Sequence, residues 1–265
     1  MHLLANLYHT YYRGFVHIGE ETYMKTSGKV FIILLLMIFS ASCCGKQQLK
    51  TSFNGDHPLE PTTSYFIYQR VLMKHPIFPQ TIEIGAMSGS GVAVRGSNKY
   101  TDIMTAGHVC TMPAELEAMG AQQVINLFDI YGEQFVGEVY AVDQVNDLCI
   151  IRMNEDRPTI RIAEKNPELG DKVYSGGYPS GFYSPGTLHF FEGYFGGVDE
   201  TRTGNYSFPA SPGSSGSAII NKRGELIGIV SAVLRDFHHI TIGPSVEPML
   251  IFLLLSQDCS KFCIE

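Results

Sequence analysis

The chain lacks any cluster of basic side chains. It carries 19 Lys and Arg against 26 Asp and Glu, a formal net charge of −7 over 265 residues. A nucleic-acid surface is built from a basic patch or stripe, so that class of partner is excluded. Charge of either sign is sparse at 17%, while 45% of the residues are hydrophobic. A chain of that composition buries a core and is not disordered. No hydrophobic run is long. The strongest, Val30 to Phe39, falls well short of the ~20 apolar residues a membrane-spanning helix needs. Cys-x-x-Cys pairs are missing, and no metal and no cofactor is expected. Internal repeats and low-complexity tracts are missing too. The length suits one domain of two packed lobes, since all-β domains often run past roughly 200 residues.

What is present begins with an address. Lys25 and Lys29 precede the apolar run, and the small residues Ser40-Ala41-Ser42 follow it. These are the n-region, h-region and cleavage region of a signal peptide. Residues 1–42 therefore read as an N-terminal extension and signal peptide. The expected location is periplasmic, extracellular or membrane-tethered. Met24 opens the segment at the usual distance and is a second candidate for the start beside Met1. Cys43-Cys44 come next, and Ser-Ala-Ser-Cys resembles the processing site of bacterial lipoproteins, except that Ser40 stands where that pattern has an aliphatic residue. Simple secretion, an uncleaved anchor and lipid attachment at Cys43 or Cys44 all stay open.

Residues 43–80 read as a linker or arm, polar and proline-bearing at first, with Tyr65 to Tyr68 a first strand or helix. From Thr81 the pattern is β, with short apolar runs punctuated by Gly, Asn, Asp and Pro. Strands are expected over 91–94, 100–105, 134–143, 148–151, 172–176, 188–198, 217–221, 226–234 and 240–243. A helical turn is expected over 113–119 and a closing helix over 245–255. Strands so spaced make barrels or sandwiches. The domain is placed at 81–257, with a tail at 258–265.

The stretch that organises the chain is Ser211-Pro212-Gly213-Ser214-Ser215-Gly216-Ser217, running into the apolar Ala218-Ile219-Ile220. Ser215 sits in a glycine-punctuated turn. Acyl transfer needs an exposed hydroxyl with backbone N–H groups beside it, converging on the developing oxyanion. Gly213 permits a strained turn and a close approach of its N–H to substrate. The N–H groups of Gly213 and Ser215 would form the oxyanion hole, with Ser215 the nucleophile. Upstream, Thr105-Ala106-Gly107-His108-Val109-Cys110 follows an apolar run, and Asn146-Asp147-Leu148-Cys149-Ile150-Ile151 sets an acid at the head of a strand. A serine hydroxyl needs a base in reach, and His108 is one. The order is His, Asp, Ser, and other folds use other orders.

These stretches resemble the trypsin-like (chymotrypsin-fold) serine proteases, most of all bacterial Deg/HtrA-type protease domains without PDZ. Supporting matches are Ser88-Gly89-Ser90-Gly91-Val92, Gly176-Gly177-Tyr178-Pro179 and Gly224-Glu225-Leu226-Ile227-Gly228-Ile229-Val230-Ser231. The likeness spans about 88–249. It implies an all-β fold of two six-stranded antiparallel β-barrels, with the active site in the cleft between them and a C-terminal helix. It implies a hydrolase, a serine endopeptidase acting on protein or peptide substrates through His108, Asp147 and Ser215. A serine esterase on the same site, or a catalytically silent binding protein, are the other readings. Asp143 is the competing acid. Asp147 is preferred because the apolar strand follows it directly, as in the family pattern. Ser231 aligns with a family serine that orients the acid.

By the same likeness, Pro209, Ala210, Ala232, Val233 and Thr241 line the pocket for the residue before the scissile bond. They are apolar or small and include no acid, so small or medium apolar side chains are expected there and basic ones disfavoured. A glutamate-preferring pocket through Thr241 and His239 stays open. Ser214 stands where digestive zymogens carry an Asp, so activation by a buried N-terminal amine is not expected. Only a helix-sized segment follows Gly243, and no PDZ-type domain fits there. His238-His239 read as strand-edge residues. Cys110 and Cys149 each lie two residues past a site residue and are either near neighbours or buried free thiols. Cys259 and Cys263 are spaced to close a small loop, and no pairing follows from the sequence.

Overall fold

Valine and isoleucine alternate faces along the first half of the chain, and the two sets of side chains build two different cores. In the computed structural model, which describes residues 56–75, 80–234 and 236–257, six antiparallel strands close into a barrel. They are β1 (Ser64–Lys74), β2 (Thr81–Ser97), β3 (Tyr100–Ala106), β4 (Gln122–Phe128), β5 (Gln134–Asp143) and β6 (Leu148–Met153). Their order around the barrel is β1-β2-β3-β6-β5-β4. Ala93, Ile103, Ile125, Leu127 and Ile151 belong to one core cluster, which the barrel encloses. Their chain neighbours Val92, Met104 and Ile150 are equally buried in a second cluster, shared with the C-terminal half. A strand covered on both faces reads as a continuous apolar run rather than an alternation, and β6 is such a strand.

The C-terminal half is a sheet of seven segments. These are β7 (Lys172–Gly177), β8 (His189–Val198), β9 (Thr203–Tyr206), β10 (Ala218–Ile220), β11 (Leu226–Ile229), β12 (Ala232–Leu234) and β13 (Phe237–Pro244). Their order is β11-β10-β7-β8-β9-β13-β12. The two end segments, β11 and β12, are successive in the chain with only Val230 and Ser231 between them. The sheet therefore curls until its ends meet in one broken strand. Val230 N–H donates to the Ser217 carbonyl and Ser231 N–H to the Ile242 carbonyl, both at 3.0 Å, so the break is where the strand changes partner. The second six-stranded barrel of the sequence reading takes this curled form.

Among the described residues three short α-helices complete the fold: α1 (Gly107–Cys110), α2 (Ala114–Ala118) and α3 (Val246–Leu255). Val246, Met249 and Phe252 set α3 into the shared core. Arg95 of β2 donates to the Leu253 carbonyl of α3 at 2.9 Å and to Asp102 of β3 at 2.6 Å. Asp102 is fully buried and takes a second guanidinium from Arg152 at 2.7 Å. A carboxylate removed from water persists when paired in this way.

The arm expected over 43–80 differs in its described part. β1 pairs with both β2 and β4, so the barrel cannot close without it, and the domain starts ahead of Thr81. Leu59 is fully buried in the shared core, and a Cβ on Gly176 would lie 2.3 Å from its Cδ2. β4 escapes the sequence pattern because Gln122, Gln123 and Asn126 interrupt it. Asn126 is nonetheless buried and accepts from Gln134 Nε2 at 2.9 Å. Residues 1–42, Cys43, Cys44, Cys259 and Cys263 lie outside the described residues.

Because Leu59 fills a hole that only a glycine leaves open, Leu59→Ala should destabilise the protein by about 3 kcal/mol. Urea unfolding followed by circular dichroism measures this. An unchanged midpoint would show that the arm adds nothing to the core.

Candidate active site

The site is built where two adjacent strand ends meet a glycine-rich turn from the other sheet. β3 and β6 pair in register, with Thr105 opposite Cys149 and Ala106 opposite Leu148. The residues just past β3 and just before β6 therefore stand side by side. Gly107 N–H donates to the Asp147 carbonyl at 2.9 Å. A Cβ at Gly107 would come within 3.1 Å of Asp147 and Leu148 atoms, so glycine leaves the room this approach uses. Asp147 itself has φ of 52°, a left-handed conformation that a non-glycine residue holds only under constraint. Asp143 supplies part of that constraint. Its carboxylate accepts from the N–H groups of Val145 and Asn146 and from the Asn146 side chain, at 2.6 to 3.1 Å. Asp143 thus shapes the turn, and Asp147 faces the histidine.

The structure brings His108, Asp147 and Ser215 into one hydrogen-bonded line. His108 Nδ1 lies 2.9 Å from Asp147 Oδ2, and His108 Nε2 lies 2.9 Å from Ser215 Oγ. An ionised carboxylate only accepts, so Nδ1 carries the hydrogen and Nε2 is left as the acceptor. The Ser215 hydroxyl then donates to Nε2. Asp147 also accepts from the His108 backbone N–H at 2.8 Å and from the Ser231 hydroxyl. Burial alone would raise the Asp147 carboxyl. The hydrogen bonds from the His108 side chain, Ser231 and the His108 backbone outweigh it and hold the group below its ordinary value. A depressed carboxylate contributes its stability at neutral pH and loses it only as the pH falls through the acid range below that ordinary value.

The turn around Ser215 is fixed by its carbonyls. Gly213 and Gly216 have φ of +90° and +87°, which glycine alone adopts without strain. A Cβ at Gly216 would lie 1.9 Å from the Ser90 carbonyl oxygen, and one at Gly213 would lie 2.4 Å from the Gly181 nitrogen. The Pro212 carbonyl accepts from Ser180 N–H at 2.6 Å, and the Ser214 carbonyl accepts from Ser217 N–H at 2.9 Å. In a trans peptide the N–H points away from the carbonyl. These two bonds therefore turn the N–H groups of Gly213 and Ser215 to the other side, where neither donates to a described residue. Ser214 is buried, and its hydroxyl accepts from Ser211 N–H at 3.2 Å.

Of the residues expected to line a pocket, Ala232 is exposed, Pro209 and Val233 are half-buried, and Ala210 is buried. Thr241 departs from expectation. It is fully buried, and its hydroxyl donates to the Phe208 carbonyl at 2.8 Å, so it braces the wall from behind and offers substrate no polar atom. His238 and His239 are exposed in β13. Cys110 and Cys149 form a disulfide that ties the histidine turn to the strand behind the acid. Sequence reasoning gave no role to Ser90, Thr105, Tyr178 or Ser180. The Ser-Gly-Ser-Gly run was the one signal that could have pointed to Ser90.

The sequence profile of the trypsin-like peptidase domain matches residues 89–229. The chain is 28% identical over 172 residues to the putative serine protease HhoA of Synechocystis sp., covering 61% of this chain and 40% of that protein. It is 26% identical over 180 residues to a serine protease HtrA-like protein of Staphylococcus aureus, covering 61% of this chain and 21% of that one. The chain thus spans two fifths or less of the length of these curated relatives. Among solved structures, the serine endoprotease from Yersinia pestis superposes with a TM-score of 0.57 at 19% identity, over 75% of this chain and 64% of that one, a likeness of fold.

The Cys110–Cys149 link closes a loop spanning 39 positions. In the chain-entropy account such a link contributes up to about 4 kcal/mol. Replacing both cysteines by alanine should lower the urea midpoint measurably. Equal midpoints for the variant and the parent would contradict this.

Proposed function

The chain belongs to the trypsin-like peptidase family, and we propose that it is an exported serine endopeptidase hydrolysing peptide bonds through an acyl-enzyme. The observation that carries this reading is the 2.9 Å contact of His108 Nε2 with Ser215 Oγ, in line with the Asp147 carboxylate. Ser215 Oγ attacks the scissile carbonyl carbon while its proton passes to His108 Nε2. Asp147 holds the ring in the required tautomer and stabilises the imidazolium. The N–H groups of Gly213 and Ser215 receive the negative charge that develops on the carbonyl oxygen. Collapse breaks the C–N bond, and His108 returns the proton to the leaving amine. Water then attacks the acyl carbon as it loses a proton to His108; the bond from that carbon to Ser215 Oγ breaks, His108 returns the proton to Oγ, and the acid product leaves.

A peptide is favoured over a small ester by one feature. β12 is an edge of its sheet and begins directly after Ser231, which touches Asp147. An extended peptide adds to such an edge through backbone hydrogen bonds. Ala232 and Val233 of β12 itself and the half-buried Pro209 are apolar, which suits small or medium apolar side chains and gives Lys or Arg no counter-charge. Export is supported by the disulfide, which persists in oxidising compartments. Membrane attachment through the N-terminal segment, or through a lipid on Cys43 or Cys44, belongs to the same reading.

Purified protein should cleave a peptide library after small or medium apolar residues. Ser215→Ala and His108→Ala should each lower kcat by about 10⁶. A strong Lys or Arg preference would overturn the pocket assignment. Hydrolysis of esters with no peptide cleavage would favour the esterase, and turnover of neither a binding protein.

A further inference from the structure

We infer that the Ser90 hydroxyl positions the oxyanion hole, acting from the first barrel on the turn that the second sheet supplies. This rests on the endopeptidase reading above. Ser90 lies in β2 and is 1% exposed. Its Oγ donates to the Gly213 carbonyl at 2.9 Å and accepts from Tyr178 N–H at 3.0 Å. The direction is unambiguous. A hydroxyl has one hydrogen, and a backbone N–H only donates, so the Ser90 proton is committed to Gly213.

The peptide thus held, between Gly213 and Ser214, is the middle one of three. The peptides on either side of it carry the two N–H groups that would receive the oxyanion. The two dihedrals that flank this middle plane, ψ of Gly213 and φ of Ser214, set how the two outer planes, and so the two donors, are turned relative to one another. Glycine is needed at 213 for its φ of +90°, and it also leaves its ψ sterically free. The Ser90 hydroxyl removes the freedom the glycine brings.

The other polar atoms of Ser90 are engaged around the same turn. Its N–H donates to the Ser215 carbonyl at 2.7 Å, and its carbonyl accepts from the Thr105 hydroxyl at 2.7 Å. Tyr178 is itself fixed. Its ring is fully buried and packs on Phe66 of β1, with centroids 5.6 Å apart, and Tyr183 stacks on the same ring at 4.9 Å. The segment from Tyr178 to Ser180 therefore reaches the turn from a rigid base, supplying one N–H to Ser90 and another to Pro212. Ser90 touches neither substrate nor a reacting atom in this arrangement. It is a positioning residue.

The test is Ser90→Ala in the full chain, with active sites counted by burst titration using an acylating ester. The kcat per titrated site should fall by about tenfold to a hundredfold, with KM changed less than about threefold, because oxyanion contacts strengthen only in the transition state. A peptide aldehyde, whose carbonyl carbon takes the Ser215 oxygen and becomes an oxyanion, should lose affinity by the same factor as kcat/KM. A product peptide should bind as before. A purely structural role for Ser90 lowers the titrated fraction and leaves kcat per site and aldehyde affinity alone, and that result overturns the proposal. Should Ser90→Ala not fold, Ser90→Cys keeps the size and a weaker donor, and the same correlated loss, smaller in size, is expected. Its absence overturns the proposal equally. Parent protein that titrates no site overturns the endopeptidase reading, and this proposal with it. Parent protein that titrates, with Ser90→Ala unchanged, overturns this proposal alone.

Discussion

An ionised carboxylate at the seam between two sheets has to be satisfied from both of them, and the arrangement around Asp147 follows from that requirement. The first barrel supplies the backbone N–H and Nδ1 of His108. The second sheet supplies the Ser231 hydroxyl, from the point where its closing strand breaks. The break lets Ser231 leave the ladder with β10 and join β13. The left-handed backbone at Asp147 and the carboxylate of Asp143 beneath it serve the same end. Remove the carboxylate, and the histidine loses the acceptor that fixes which ring nitrogen faces Ser215.

A second constraint lies on the other side of Ser215. A glycine-rich turn allows two N–H groups to converge, and it also allows many conformations in which they do not. The structure resolves this by holding carbonyls rather than the N–H groups themselves, with Ser180, Ser90 and Ser217 each taking one. The N–H groups of Gly213 and Ser215 are left without partners among the described residues and directed by default. Pre-set donors of this kind need no reorganisation at the moment of reaction.

Much of this was legible in the sequence for physical reasons. His108, Asp147 and Ser215 sit in motifs whose flanks are themselves constrained. Gly216 faces an atom that excludes a side chain, Gly107 is tightly packed against Asp147, and the apolar run after Asp147 is a strand buried on both faces. The strand bounds 134–143 and the start of the strand at 148 agree with the structure, because turn residues punctuate them. What was missed is non-local. Residues 43–80 were read as an arm with a first strand or helix only at 65–68, because the pairing with β4 that places β1 inside the barrel lies far along the chain. β4 was hidden by polar residues that the barrel buries and pairs. Thr241 was placed in the pocket by the family likeness, which gives a strand position, whereas the direction of its hydroxyl depends on the Phe208 carbonyl. The Cys110–Cys149 bond follows from the β3–β6 register, which cysteine spacing alone does not contain.

The central claim is that His108 and Asp147 activate Ser215 and no other serine. It is tested most directly by reacting the purified protein with a fluorophosphonate, digesting it, and locating the adduct by mass spectrometry beside a His108→Ala control. The account predicts a single adduct on Ser215 that disappears in the control, since the reagent needs both an activated hydroxyl and the donors that receive its oxyanion. Folded protein that takes no label, or label that persists without His108, would contradict it.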